Sequence, residues 1–142
     1  MKKILLAPLL FVSIVLIAQE PTKQQDIQKL LTSLHVKASV EKMATQGIEL
    51  YKKQKPAVPQ KVWNDILNAV DYSAYLNKVA EVFDNNYTQP EIKHLIDLAN
   101  NAKPGMIPKL KPTVKEQLYY TSNEFGKNFG NYINTQLKAK MY

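Results

Sequence analysis

The chain has 142 residues, of which 45% are hydrophobic and 22% charged, as is typical of one globular domain. It contains no cysteine, which excludes a disulfide scaffold and any zinc or iron–sulfur site with cysteine ligands. The formal net charge is +7, and every basic residue is a lysine. Because arginine is the side chain favoured for bidentate contacts with phosphates and bases, this composition argues against nucleic acid as a partner.

The first 18 residues have the composition of a secretory signal peptide. Lys2 and Lys3 precede an apolar run from Ile4 to Ala18, which is shorter than the ~20 residues that span a bilayer as a helix. We predict cleavage after Ala18, although Leu16 occupies a position where a small residue is preferred. An uncleaved anchor is the alternative. The mature chain is then expected to be periplasmic or extracellular, with no transmembrane span.

Helical periodicity runs through residues 19–142, which we predict to form a single all-α domain. No stretch alternates long enough to predict a strand. The expected fold is a small bundle of five or six helices that follows the cleaved signal peptide. The stretches with helical spacing are Ile27 to Leu34, Val40 to Tyr51, Val62 to Val70, Tyr72 to Phe83, Ile92 to Ala99 and Val114 to Leu137.

Proline-containing segments mark the main breaks between these helices. Residues 55–60 read KPAVPQ, and residues 101–112 read NAKPGMIPKLKP, so both are predicted loops. The last helix is expected to begin after Thr113, with Glu116 completing a capping box. We also expect the two helices nearest the N-terminus to be attached more loosely than the others.

Residues 88–94 contain the chain's one candidate metal motif, Glu91-x-x-His94, a spacing that places both side chains on one helix face. A di-iron site needs a second such pair, but the other histidine, His35, has Thr32 three residues before it. Thr88 and Glu91 instead fit a capping box. The serines lie in helical stretches without a glycine-rich elbow. We therefore predict no metal, no cofactor and no catalytic residue.

Aromatic side chains are the remaining candidates for a binding site. They are brought together if the third, fourth and last helices pack against one another, and two interpretations stay open. The aromatic residues form a core, or they line an apolar pocket with tyrosine hydroxyls at its rim. The residues expected to contact an apolar ligand or a partner are Trp63, Tyr72, Tyr75, Phe125, Phe129 and Tyr132; Tyr119 and Tyr120 belong to the same aromatic set.

The region of about residues 62–137 resembles a family of secreted bacterial proteins, domain of unknown function 2059. The resemblance rests on three features: an aromatic-Thr-x-x-Glu-aliphatic helix start, an aliphatic stripe, and a proline–glycine pair that ends the helix. Leu98-Ala99 replaces the family's Phe-Tyr pair, and Lys103 replaces a serine or threonine. The resemblance implies an exported all-helical fold with no established activity. The matching residues are Tyr87, Thr88, Glu91, Ile92, Leu95, Ile96, Leu98, Pro104, Gly105 and Pro108 or Pro112.

Two functions are consistent with these features. The first is an exported bacterial envelope protein that acts as a non-catalytic binding or interaction module, with an unknown protein partner. The alternative is a carrier of an apolar or lipid-like ligand in a pocket between helices. A carrier needs a continuous aromatic-lined cavity, whereas an interaction module needs an exposed apolar surface. The oligomeric state is left open.

Overall fold

The computed structural model describes residues 20–141, which form six α-helices and no strand. The predicted all-α bundle is therefore confirmed, with six helices as the larger of the two expected numbers. The predicted signal peptide, residues 1–18, lies outside the described residues. The helices are α1 (Lys23–Ser33), α2 (Val36–Gln54), α3 (Gln60–Asn68), α4 (Ser73–Asn86), α5 (Gln89–Asn100) and α6 (Pro112–Met141).

Capping boxes define where α1 and α5 begin. At α5, the Thr88 hydroxyl accepts from the Glu91 amide and the Glu91 carboxylate accepts from the Thr88 amide at 2.7 Å, as the sequence predicts. At α1, Thr22 and Gln25 form the same reciprocal pair. Each box satisfies two amide groups that a helix start would otherwise leave without partners. The predicted box at Thr113 is wrong, because α6 already begins one residue earlier and Thr113 lies inside its first turn.

All the buried apolar side chains of the described residues except Val40 and Pro108 belong to two clusters, which α6 connects. With 30 residues, α6 is about 45 Å long, enough to contribute Val114 to the first cluster and Ile133 to the second. The first core cluster comprises Ile27, Leu30, Leu31, Val79, Ala80, Phe83, Tyr87, Ile92, Leu95, Leu110 and Val114. The second core cluster comprises Ala44, Ile48, Trp63, Ile66, Phe129, Ile133 and Leu137.

Helix α1 is firmly attached, so for this helix the expectation of loose attachment is wrong. Its apolar stripe is fully part of the first core cluster, where it packs on α4 and α5. The buried Asp26 carboxylate accepts a hydrogen bond from the Gln89 amide at 2.8 Å, and the same amide donates to the Pro21 carbonyl at 2.6 Å. Lys23 forms an ion pair with Asp84 at 2.8 Å. Polar contacts of α1 with α4 and α5 thus reinforce its apolar contacts.

Helices α4 and α2 lie on either side of α6. Tyr75 pairs with Ser122 and Asn86 with Gln117, so α4 runs antiparallel to α6. On the other side, the Tyr51 hydroxyl donates to the Gly130 carbonyl at 3.4 Å. A Cβ atom at Gly130 would lie 3.1 Å from that hydroxyl, so glycine permits the approach of α2.

Two carboxylates that contact residues at the starts of helices have lowered pKa values. The Lys23 ammonium lowers the pKa of Asp84 below its ordinary value of 3.8. The Thr88 amide and then Lys111 lower the pKa of Glu91 below its ordinary value of 4.5. Because the folded state binds these protons less tightly than the unfolded chain, the stabilisation is present above the ordinary values and is lost as the pH falls through the lowered ones.

We therefore expect the thermal midpoint to fall as the pH is lowered below about 4.5, measured by circular dichroism. Asp84→Asn should remove part of this dependence, since its carboxamide cannot change charge. Asp97→Asn is the matched control, because Asp97 is exposed and forms no ion pair among the described residues. An acid dependence that is equal in both variants would contradict the assignment to the Asp84 contact.

Candidate functional site

An open groove of about 310 Å³ lies between α4 and α6, beside the end of α3. We call it the α4–α6 groove. Most of its surface is apolar, and Ala74 and Asn128 at its edge are exposed to solvent. Its polar border includes Asp71, Lys78 and Glu124. The apolar lining consists mainly of Val70, Ala74, Tyr75, Phe125, Phe129 and Tyr132.

The six aromatic residues singled out in the sequence have different positions. The four that line the α4–α6 groove are Tyr75, Phe125, Phe129 and Tyr132. Trp63 belongs to the second core cluster and is only 2% exposed. Tyr72 is partly buried against that cluster, with its ring 6.2 Å from the Phe125 ring. The aromatic set is therefore divided between core and groove, which were the two alternative interpretations of the sequence.

Stacked rings form the floor of the groove. The Phe125 and Phe129 centroids are 5.6 Å apart with an angle of 7° between the ring planes. Their spacing of four residues places both on one face of α6. Tyr75 packs against Phe125 from α4 at 5.2 Å, and Tyr132 stacks on Phe129 at 6.2 Å. The rings hold one another in place, so the floor is preformed.

The tyrosine hydroxyls of the groove are used within the fold. Tyr75 Oη lies 3.2 Å from Ser122 Oγ, and the Tyr132 hydroxyl donates to the Ile66 carbonyl at 3.3 Å. One interpretation of the sequence required tyrosine hydroxyls at the rim that are available to a ligand. These two hydroxyls instead form hydrogen bonds within the fold. Burial raises the pKa of Tyr72, with Glu41 and Tyr132 adding to the effect.

An ion pair spans one end of the groove. Lys78 Nζ on α4 lies 2.6 Å from Glu124 Oε1 on α6, and both side chains are about half exposed. Asp71 lies at the α3–α4 junction, where its carboxylate accepts from the Ser73 amide at 2.8 Å. That hydrogen bond lowers the pKa of Asp71. The border of the groove thus carries two carboxylates and one ammonium group.

The Glu91–His94 pair does not form a site with these groups. Glu91 is occupied by the Thr88 amide and by Lys111, whose Nζ lies 2.9 Å away. His94 is exposed on α5. Among residues 20–141, no three histidine, aspartate or glutamate side chains lie close enough together to hold a metal ion. The groove itself offers apolar contacts and a charged border, which suits binding.

A second groove, of about 340 Å³, lies on the α2 side of the same Phe125–Phe129 stack. Gly47 and Tyr51 contribute to it from α2, and Gly126 lies open on its α6 side. These α2 residues are not among the contacts predicted from the sequence, because a single amphipathic stripe does not show which neighbouring helix it meets. The only sequence feature that indicates this second groove is the pair of Phe-Gly dipeptides in α6, at residues 125–126 and 129–130. Tyr119 and Tyr120 lie outside both grooves, 64% and 62% exposed.

The fold and groove define an all-helical bundle with a preformed, open apolar groove. Comparisons of the chain with models of protein families, with curated proteins and with solved structures found no match. The resemblance to domain of unknown function 2059 therefore stays a prediction. None of the helices within residues 20–141 has the length and apolar character needed to cross a bilayer.

Proposed function

We propose that the protein is exported to the bacterial cell envelope and acts there as a non-catalytic interaction module. The α4–α6 groove is its binding surface, and the occupant is a protein segment that presents apolar side chains. Support for export comes from the sequence of residues 1–18, where two lysines precede an apolar run. Support for binding comes from the stacked aromatic floor of the groove, whose edge at Ala74 and Asn128 is exposed to solvent.

The shape and charge of the groove favour a peptide-like occupant. Amphipathic helices commonly dock by placing apolar side chains into a groove between helices. Asp71 and Glu124 border this groove together with the single cation Lys78, so a segment with net positive charge is the better electrostatic match. The ion pair between Lys78 and Glu124 is exposed enough to be rearranged on binding at little cost.

A carrier of an apolar or lipid-like ligand is the second candidate. The groove volume of about 310 Å³ is at the lower limit of small-molecule sites, which are typically ~300–1,000 Å³. Such sites usually bury most of the ligand, whereas the exposed Ala74 and Asn128 leave this groove open along its edge. We therefore rank the carrier second.

Native mass spectrometry of the protein purified gently from its own envelope separates the two candidates. An interaction module is expected to carry a second polypeptide, and a carrier is expected to gain a few hundred daltons that denaturation removes. Ala74→Trp should abolish either complex, because the indole fills the groove. Ala38→Trp is the matched control, since Ala38 is an exposed alanine on α2 that lies outside both grooves.

The proposed binding surface is wrong if the bound mass survives Ala74→Trp or is lost equally in Ala38→Trp. Loss in both variants would trace to a general effect of the added indole. Persistence in Ala74→Trp would place the complex on another part of the molecule. Circular dichroism must first show that both variants keep the thermal midpoint of the parent protein.

A further inference from the structure

One end of the bundle is rich in lysine. Residues 49–65 and 134–141 cover the end of α2, the start of α3 and the end of α6. Their acidic residues are Glu49 and Asp65, so six lysines give these segments a net charge of +4. We call this surface the lysine end. Its lysines are Lys52, Lys53, Lys55, Lys61, Lys138 and Lys140.

Packing brings these three segments together. Ile48, Trp63 and Leu137 belong to one buried cluster, and they come from α2, α3 and α6 respectively. Each lysine lies within seven residues of one of them along the chain. At 1.5 Å per helical residue, all six therefore lie within about two helical turns of the same cluster.

The fold does not itself require this charge. Lysines in the last turns of α2 and α6 interact favourably with helix dipoles, but Lys61 is at the start of α3, where a cation is unfavourable. Within residues 20–141, only Lys52 and Lys61 of the six form ion pairs, with Glu49 and Asp65. Among the described residues, the other four form no ion pair, so they concentrate positive charge at this end.

Several lysines near the first core cluster are arranged differently, because they join helices through ion pairs, as in Lys23–Asp84 and Lys111–Glu91. At the lysine end, two large apolar side chains are exposed, Leu50 at 60% and Met141 at 47%. The loop before α6 shares this feature, with Met106 and Ile107 exposed between Lys103 and Lys109, but it carries fewer lysines. Exposed cations beside exposed apolar groups are the features by which peripheral proteins contact lipid.

We propose that the lysine end is a docking surface for the anionic headgroups of a phospholipid bilayer. Lysine acts as a point charge and needs no bidentate geometry, so it suits a laterally mobile layer of phosphates better than a fixed base pattern. Leu50 and Met141 would enter the region between headgroups and acyl chains. The surface is independent of the α4–α6 groove.

Co-sedimentation of residues 19–142 with vesicles tests this assignment. These residues contain both core clusters and omit the apolar run before residue 19, which would itself enter lipid. We expect binding to vesicles of equal parts phosphatidylglycerol and phosphatidylcholine, loss of binding at high salt, and little binding to phosphatidylcholine alone. The double variant Lys53→Gln/Lys140→Gln should bind about 25-fold more weakly, at about fivefold for each lysine.

The double variant Lys42→Gln/Lys127→Gln is the matched control. It removes the same charge from exposed lysines of α2 and α6 that lie outside the lysine end and form no ion pair among the described residues. The proposal fails if both doubles lose binding equally, since net charge alone would then explain it. It also fails if the parent protein does not bind at low salt, or if a DNA oligonucleotide at equal phosphate concentration strips it from the vesicles. Ala74→Trp should leave vesicle binding unchanged, so failure here is distinguishable from failure of the groove.

Discussion

Replacement of Trp63 by alanine is expected to lower the free energy of unfolding by about 3–5 kcal/mol, measured by urea denaturation. The indole is 2% exposed and packs in the second core cluster with Ile66, Ile133 and Leu137. Its removal both loses buried apolar area and leaves a cavity that neighbouring helices cannot fill completely. Since a domain of this size is stable by only about 5–15 kcal/mol, this loss is a large fraction of the free energy of unfolding.

Tyr119→Ala is the control for this prediction. Tyr119 is an aromatic residue of α6 with 64% of its surface exposed, so its removal should change the free energy of unfolding by no more than about 0.5 kcal/mol. If Trp63→Ala cost less than about 1 kcal/mol, Trp63 would not be a core residue, and the division of the aromatic set between core and groove would be wrong.

Introduction of leucine at Gly47 is expected to destabilise the protein by about 1–3 kcal/mol. A Cβ atom at this position would lie 3.1 Å from Phe129 Cε1. The Phe129 ring is stacked between Phe125 and Tyr132, so it cannot rotate away without disturbing the groove floor. The thermal midpoint should fall, and α2 should move away from α6.

Gly126→Ala is expected to have the opposite effect on stability, although Gly126 lies between the same two helices. A Cβ atom there meets no other atom within 4 Å, so the substitution gains helix propensity without a clash. We expect stabilisation of up to about 1 kcal/mol, visible as a higher thermal midpoint. If leucine at Gly47 also stabilised the protein, the contact between α2 and α6 would be looser than the structure shows.

Local patterns made most of the helices predictable. The start of α5 follows from Thr88 and Glu91 alone, because a capping box is formed by residues three apart. The buried positions Ile92 and Leu95 follow from helical spacing in the same way. Thr22 and Gln25 carry the same local signal at the start of α1.

Contacts between distant residues could not be predicted in this way. Asp26 and Gln89 are 63 positions apart, and nothing local to either shows that their side chains meet at 2.8 Å. The loose attachment expected for α1 was wrong for this reason. Its apolar stripe was visible in the sequence, but the helices that cover it were not.

The aromatic residues show the same limit at the candidate site. Trp63 and Tyr75 both lie on apolar stripes, yet one is in a core and the other lines a groove. Periodicity identifies the side of a helix that faces its neighbours, but it does not show where two helices separate enough to leave a space. The hydrogen bond between Tyr75 and Ser122 likewise depends on the pairing of α4 with α6.

Site-specific photo-crosslinking in intact cells tests most directly whether the α4–α6 groove is a binding surface. A benzophenone amino acid is introduced at Asn128, on the edge of the groove, or at Asn134, an exposed asparagine of the same helix outside it. We predict one discrete crosslinked polypeptide from Asn128, its loss in Ala74→Trp, and no such product from Asn134. The same products from both positions, or no product from Asn128, would contradict the proposed function.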